Sequence, residues 1–246
     1  MFDFFVKKKF LVDYLDGFTD IHNHILPGID DGAKTVDESL GLIKGMGEIG
    51  ISNFICTPHI MENYYANNAG TIQTALGLVQ DALKTNGLPH VHITAAAEHM
   101  IDSGFELLVD SNGLMPIAKQ YVLVEMSYLQ ASLNFEEAIE KLSDKGLYPI
   151  FAHPERYAYL HHDRNDYTRM KDLGLLFQLN ILSLSSYYGK DVHKKALALL
   201  DTNLIDFVAS DIHNQNHLKH LKNIQISQRL LDKVIPIIAR TNYNFG

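Results

Sequence analysis

Short apolar runs that end in histidine or a carboxylate recur along this chain, and that recurrence limits the folds open to it. The runs lie at residues 18–22, 53–57, 91–97, 121–126, 148–152, 175–180 and 205–209. At or just beyond their carboxyl ends stand His22 and His24 with Asp31, then His59, Glu98, Glu125, His153, and finally Asp211 with His213. Between most runs lies a segment with helical spacing. Thr35 and Glu38 form a T-x-x-E capping box with Val36, Leu40 and Ile43 on one face and Gly50 as the stop. Asn134 and Glu137 repeat the device ahead of Phe135, Ala138, Ile139 and Leu142, with the end at Lys145-Gly146. Strand–helix alternation at this spacing predicts right-handed βαβ units and a parallel sheet. An open doubly wound sheet gathers its ligands at one switch point. Here ligand types close nearly every run, which is how an α/β barrel builds a site from its strand ends. The expectation is a seven-stranded barrel in one domain over residues 1–246, since no linker, repeat or low-complexity stretch divides the chain.

Nine such side chains are more than one ion can use, so the set predicts a polynuclear metal site and hydrolytic chemistry. His22 and His24 are two apart, which on a strand turns both to one face. Asp211 and His213 repeat that spacing after IDFVAS. A lone H-x-H is weak, but two such pairs at strand ends reinforce each other. Glu125 closes YVLVE, where an ionised carboxylate is costly unless it is paired or metal-bound. Glu98 follows VHITAAA, whose alanines leave room, and neither segment supplies a basic partner. A carboxylate can bridge two cations where imidazole serves one, so one of these glutamates is the natural bridge. Arg156 lies in FAHPERY, where Pro154 halts the strand. Its planar fork suits two phosphate oxygens, and a solvated or salt-bridged arginine is an equally open reading.

Other features exclude functions. The formal net charge of −8, with no basic stripe, argues against a nucleic-acid partner. An anionic substrate stays open, because divalent ions make a cavity locally positive. Cys56 is the only cysteine, so there is no internal disulfide and a reducing, cytoplasmic setting is expected. Position 62, six after Cys56, is glutamate rather than arginine, which excludes a cysteine-based phosphatase loop and leaves an inert core thiol. The N-terminal FDFFVKKKFLVDYL is broken by Lys7, Lys8 and Lys9 and is too short to span a bilayer. Residues 1–17 are expected to be a solvated lead-in. His90, His92, His99, His161, His162, His193, His217 and His220 lack the strand-end context and are read as surface or supporting groups. Tyr64-Tyr65 and Tyr187-Tyr188 are read as packing, with groove lining as the alternative.

Taken together, TDIHNHILPGIDDGAKT, ICTPHI, AAAEHM, YVLVEMSY, FAHPERY, FQLN and FVASDIHN resemble the PHP (polymerase and histidinol phosphatase) family over residues 19–214. Within it they resemble the bacterial protein-tyrosine-phosphatase branch of capsule and exopolysaccharide synthesis. The resemblance implies a distorted seven-stranded (β/α) barrel of PHP type holding two to three divalent ions, manganese first, with iron or zinc as alternatives. It implies that His22, His24, Glu98 and Asp211 hold one ion, and that Glu98 bridges to a second completed by Glu125 and His153. Asp31, His59 and His213 would hold the third. Arg156 matches an arginine that contacts phosphate, and His59 or His213 would assist proton transfer. The implied activity is hydrolysis of phosphotyrosine on a protein, such as the tail of a bacterial tyrosine autokinase, with no nucleic-acid partner and no stable membrane insertion. Two departures bear on that preference. IMENYY follows His59 where the branch often carries basic residues, and NQNHLKH lacks a second arginine. A small-molecule phosphatase, such as a histidinol-phosphate phosphatase, is therefore the alternative. A kinase-docking module without hydrolysis is a third reading, disfavoured by the complete ligand set.

Overall fold

The computed structural model describes residues 8–161 and 164–246. Residues 1–7 of the expected lead-in and His162 lie outside the described residues. The first half contains β1 (Lys9–Phe10), β2 (Thr19–Asp20), α1 (Val36–Gly47), β3 (Asn53–Cys56), β4 (His59–Ile60), α2 (Ala69–Thr85), β5 (His92–Ala95), β6 (Glu98–Met100) and α3 (Phe105–Asp110). There follow β7 (Tyr121–Glu125), α4 (Phe135–Asp144), β8 (Tyr148–Ala152), α5 (Arg164–Asp172), β9 (Leu176–Asn180) and α6 (Lys190–Asp201). The chain then forms β10 (Phe207–Ala209), α7 (Gln215–Lys222), β11 (Gln225–Ile226) and α8 (Gln228–Phe245).

Each of the seven apolar runs forms a strand, and all pairings among them are parallel. With the two short strands β4 and β6 they make a six-stranded sheet ordered β10-β9-β8-β7-β6-β4 and a three-stranded sheet ordered β2-β3-β5. The division has a local cause. Pro58 has no N–H to give the ladder, and Thr57 N instead donates to Asn23 O at 3.0 Å, so β3 stops and β4 starts afresh. Its neighbour breaks at Ala96-Ala97, where Ala97 N donates to Met115 O at 3.1 Å. The backbones of the first and last runs join beyond their strand ends: Asp211 N donates to His22 O at 2.8 Å and His24 N to Ile212 O at 2.9 Å. The described residues thus form a parallel α/β fold in two sheets, without one continuous ring of paired strands.

Alternation along the strands decides where the site lies. Val122, Val124, Phe151, Phe177 and Leu179 join the large core beneath the helices. Leu123, Ile150, Ala152, Phe207 and Ala209 form a second, enclosed apolar cluster with Ile21, Ala96 and Ile117. Both faces are covered, which explains why these strands read as continuous apolar runs. Glu125 is two residues past Leu123 and so emerges on the enclosed face, at the carboxyl end of the apolar layer.

Helix signals held in part. Thr35 Oγ1 accepts from Glu38 N at 3.2 Å, but Glu38 Oε2 takes Lys34 N rather than Thr35 N, so the expected box closes one residue early. The helix ends at Gly47, and Gly50 turns the chain in the left-handed region at φ +84°. A Cβ there would meet Asp16 Oδ1 at 2.5 Å and Asp16 Cα at 2.7 Å. Gly50→Ala is therefore expected to destabilise the protein by about 1–3 kcal/mol, read as a lower urea midpoint. Asn134 stands at the N-cap of α4 but does not cap it through its side chain. Its amide donates to Glu106 Oε1 at 3.0 Å and Asp102 O at 3.3 Å, a cross-loop contact that displaces the expected cap. Phe135, Ala138, Ile139 and Leu142 do form the buried stripe.

The expected solvated lead-in is corrected over its described part. Leu11 and Leu15 are fully buried, and β1 pairs antiparallel with β11. Two leucines four residues apart find the core, at about 2 kcal/mol each, which outweighs leaving them in water. No described helix is long and apolar enough to cross a membrane.

Candidate metal centre

All nine predicted side chains converge. Their ligand atoms fall into overlapping groups: His24, Asp31, His59 and His213; His22, His24 and Asp211; His22, Glu98 and His153; His59, Glu98 and Glu125. His22 Nε2 stands 3.2 Å from Glu98 Oε2, 3.3 Å from Asp211 Oδ1 and 3.3 Å from His24 Nε2. His59 Nδ1 stands 2.8 Å from Glu125 Oε1 and 3.1 Å from Glu98 Oε2, while His153 Nε2 is 3.1 Å from Glu98 Oε1. Asp31 Oδ1 lies 3.3 Å from His59 Nε2 and 3.4 Å from His213 Nε2. Glu98 is the hub, with one oxygen toward His22 and His59 and the other toward His153.

The elements that deliver these groups differ from simple strand ends. His22 and His24 sit just past β2 and still face one way, because Asn23 between them bridges to Ile212. His59 and Glu98 open β4 and β6 and are register partners. His153 and Asp211 follow β8 and β10 in left-handed backbone, φ 36° and 52°. A non-glycine residue there costs on the order of 1 kcal/mol and persists only where its surroundings fix it. Here His153 N donates to Gln178 O and Asp211 N to His22 O, each at 2.8 Å.

The residues fit divalent cations. His22, His24, His59, Glu98, Glu125, His153 and Asp211 are buried, His213 is half-buried and Asp31 is exposed. Among the described residues, Glu98 Oε2, Glu125 Oε1, His59 Nδ1 and His153 Nδ1 make no well-directed hydrogen bond, although the first three face one another as ion-pair contacts. Each such atom costs about 1–3 kcal/mol when left unsatisfied. Imidazole and carboxylate together suit manganese, iron or zinc.

The electrostatics point the same way. Burial opposes protonation of His22, His24 and His59, but carboxylates outweigh it and raise all three pKa values: Glu98 and Asp211 act on His22, Asp30 on His24, and Glu125 and Glu98 on His59. Despite their burial, Glu98 is held well below the carboxylate range by His22 and His59, and Asp211 by His22 and His213. His22, His24 and His59 thus favour protons at positions that cations would otherwise take. Metal binding at neutral pH should release them and strengthen as pH rises from 6.5, the ordinary histidine value. Calorimetry in buffers of different ionisation enthalpy measures this, and a buffer-independent binding enthalpy would contradict it.

A supporting layer holds the ligands. His22 Nδ1 pairs with Gln178 Oε1 at 2.7 Å, and His24 Nδ1 with Asp30 Oδ2 at 2.8 Å. Asn180 Nδ2 donates to Asp211 Oδ2 at 2.6 Å, and Gln178 Nε2 to Asn180 Oδ1 at 3.0 Å. Sequence reasoning missed these roles, although Gln178 and Asn180 end an apolar strand at a spacing of two, as the ligands do. Gln178→Ala is expected to weaken metal affinity about 10–100-fold, measured by competition with a chelating indicator.

Arg156 is salt-bridged, which is one of its two open readings. Its Nη1 donates to Asp211 Oδ2 at 2.9 Å, and it also lines the cavity of about 270 Å³ beside the ligands. The guanidinium lies over Tyr188 at 4.3 Å and Tyr128 at 4.6 Å. Tyr188 thus lines the site, as does Tyr128, which the sequence marks only as the end of YVLVEMSY and gives no role; its hydroxyl is 3.3 Å from His153 Nε2. Tyr65 stacks on His59 with ring centres 5.4 Å apart. His217 supports the site, with Nδ1 beside Asp211 O and His213 N, and burial with His213 nearby lowers its pKa to about 4. His99 is neither a surface nor a site group: it is fully buried, with Nδ1 on Leu123 O. Cys56 is fully buried, and burial pushes its thiol pKa up, as expected of an inert core thiol.

Comparison with known proteins agrees with this geometry. The profile of the family described as capsular polysaccharide synthesis, CpsB/CapC, matches residues 18–234. The chain is 30% identical to the tyrosine-protein phosphatase YwqE of Bacillus subtilis over 196 residues, 79% of this chain and 77% of that one. It is 26% identical to a putative tyrosine-protein phosphatase, CapC, of Staphylococcus aureus over 195 residues, covering 79% and 76%. A solved structure from work on YwqE of Bacillus subtilis and CpsB of Streptococcus pneumoniae, described as unique metal-dependent tyrosine phosphatases, superposes with a TM-score of 0.78. That match is 27% identical and covers 92% of this chain and 90% of the other. The lactonase Lmo2620 of Listeria monocytogenes shares the fold alone, with a TM-score of 0.54 at 13% identity.

Proposed function

The chain belongs to the CpsB/CapC family of capsular polysaccharide synthesis, and from that premise we propose that it is a metal-dependent phosphatase that hydrolyses phosphotyrosine on a protein, as the tyrosine-protein phosphatases it resembles are named to do. The observation that carries this reading is the convergence of nine ligand-type side chains, several of whose buried ligand atoms make no well-directed hydrogen bond. The substrate proposed is a bacterial tyrosine autokinase tail, met in the cytoplasm by a single-domain enzyme. Its strands are read as a distorted seven-stranded barrel, supported by the backbone bonds that join His22 to Asp211 and His24 to Ile212.

We assign His22, His24, Glu98 and Asp211 to one ion, Glu98, Glu125 and His153 to a second, and Asp31, His59 and His213 to a third, with manganese first among the candidates. Bound divalent cations supply charge for the phosphate oxygens and bring the pKa of water toward neutrality. Arg156 spends Nη1 on Asp211, and its fork has five N–H donors, so it can hold that ligand and a phosphate oxygen together. Tyr128 and Tyr188 keep its plane fixed and shield it from water. His213 Nδ1 engages Asp211 O at 2.9 Å, which orients the ring at the rim; with a water in place of a cation at its other nitrogen, it or His59 could pass a proton. A phenolate leaves readily, so little acid assistance is needed.

Purified protein with added manganese should turn over p-nitrophenyl phosphate and should show a higher kcat/KM on a phosphotyrosyl peptide than on a phosphoseryl peptide or histidinol phosphate. Preference for histidinol phosphate would replace this reading with the small-molecule one. Binding without turnover would leave only a docking module.

A further inference from the structure

A second cavity of about 930 Å³ shares Asp31, His59 and Glu125 with the metal cluster, borders Tyr128 as the first cavity does, and opens beside it. Its walls are residues 61–65 after β4, residues 100–106 running from β6 into α3, and residues 127–134 between β7 and α4. A metabolite held by the metal cluster would leave this space empty, whereas a peptide chain extending from a phosphotyrosine would enter it.

The walls carry two kinds of chemistry. Leu129 and Leu133 are almost wholly exposed, and Tyr64 is 80% exposed, an apolar rim unusual beside so polar a site. Against it stand three carboxylates outside the ligand set. Glu62 accepts from Ser103 Oγ at 2.5 Å, Asp102 from Glu62 N at 2.7 Å and Gly104 N at 3.0 Å, and Glu106 from Asn134 Nδ2 at 3.0 Å. All of these donors are neutral, so they fix the carboxylates in place without cancelling their charge. Among the described residues, no lysine or arginine lines the groove. The walls are also tied together, since Ser132 Oγ donates to Ile101 O at 2.5 Å and Asn134 Nδ2 to Asp102 O at 3.3 Å.

We propose that this groove receives the residues flanking the phosphotyrosine, and that it selects peptides carrying lysine or arginine next to apolar residues. The proposal rests on the phosphotyrosine reading above and narrows it. Continuity with the metal cluster places the occupant, and the uncancelled carboxylates choose its charge. The chain's net charge of −8 favours the approach of the same cationic peptides.

The test uses three phosphotyrosyl peptides that differ only in having lysine, alanine or glutamate beside the phosphotyrosine, with the manganese-loaded protein. The lysine peptide should exceed the glutamate peptide in kcat/KM by about ten-fold at low salt, and the ratio should shrink in 0.5 M salt, a concentration at which the Debye length is roughly 4 Å. In the double variant Glu62→Gln/Glu106→Gln the ratio should narrow toward one. Because both peptides are measured on the same preparation, loss of folded enzyme cannot produce that change. Equal values for the three peptides, or a preference for glutamate, would overturn the proposal. A lysine preference that survives in the double variant would remove it from this groove. If the manganese-loaded protein hydrolyses neither these peptides nor p-nitrophenyl phosphate, the phosphatase reading itself fails, and this proposal with it.

Discussion

Glu98→Gln is expected to lower kcat/KM roughly a thousand-fold, about 4 kcal/mol of transition-state stabilisation, while the protein stays folded. The substitution keeps the side chain's size. What it removes is the negative charge at the point where His22, His24, His59 and His153 all approach, between 3.1 and 3.5 Å. Without that charge two cations lose their shared ligand, and the imidazoles face a neutral amide that offsets no positive charge. The fold should persist, but His22 and His59 lose a buried partner, so the urea midpoint should fall somewhat. Elemental analysis of metal per chain, kinetics on a phosphotyrosyl peptide and the urea midpoint together decide the matter. Near-normal turnover with full metal content would show that Glu98 is not the bridge. Treating the parent protein with a strong chelator and then restoring manganese gives the matching control, in which activity should vanish and return.

Why Glu98 was legible in the sequence, and its supporting layer was not, follows from the physics of the strands. A carboxylate or imidazole at the end of an apolar run contradicts its surroundings, and only a ligand or a partner resolves the contradiction. That signal marks Glu98, Glu125, His153 and Asp211 without any knowledge of the fold. Gln178 and Asn180 are neutral, cost less to bury, and stand out less, although they contact His22 and Asp211 directly. Tyr128 lies in a loop with no periodicity to place it, and its contacts with Arg156 and His153 arise from tertiary packing alone. Asn134 had the right local pattern for a cap, but Glu106 and the Asp102 carbonyl outcompeted the helix N–H groups for its side chain. The lead-in was misread for the same reason: burial of Leu11 and Leu15 depends on partners near residue 224, which nothing local reveals. The break of the strands into two sheets was foreshadowed by Pro58, a residue that a purely hydrophobic reading of ICTPHI passes over.

Arg156→Ala is expected to lower kcat/KM on a phosphotyrosyl peptide about ten- to hundred-fold, the loss of one charge-assisted contact worth about 1.5–3 kcal/mol. The contact with Asp211 creates a competing explanation, since an arginine that only steadies a metal ligand would give the same loss. Metal content separates the two. Asp211 keeps Asn180 Nδ2 at 2.6 Å and His22 Nε2 at 3.3 Å when Arg156 is removed, so it remains anchored and the metal complement should be unchanged. A fall in metal per chain that parallels the fall in activity would assign Arg156 to the support of Asp211 instead. Arg156→Lys should recover only part of the loss. An ammonium can reach Asp211 or a phosphate oxygen, but it lacks the planar fork that serves both at once, and it stacks less well between Tyr128 and Tyr188. If both variants keep parental kcat/KM, the guanidinium has no part in binding the phosphate, and its place between two tyrosines is a matter of packing alone.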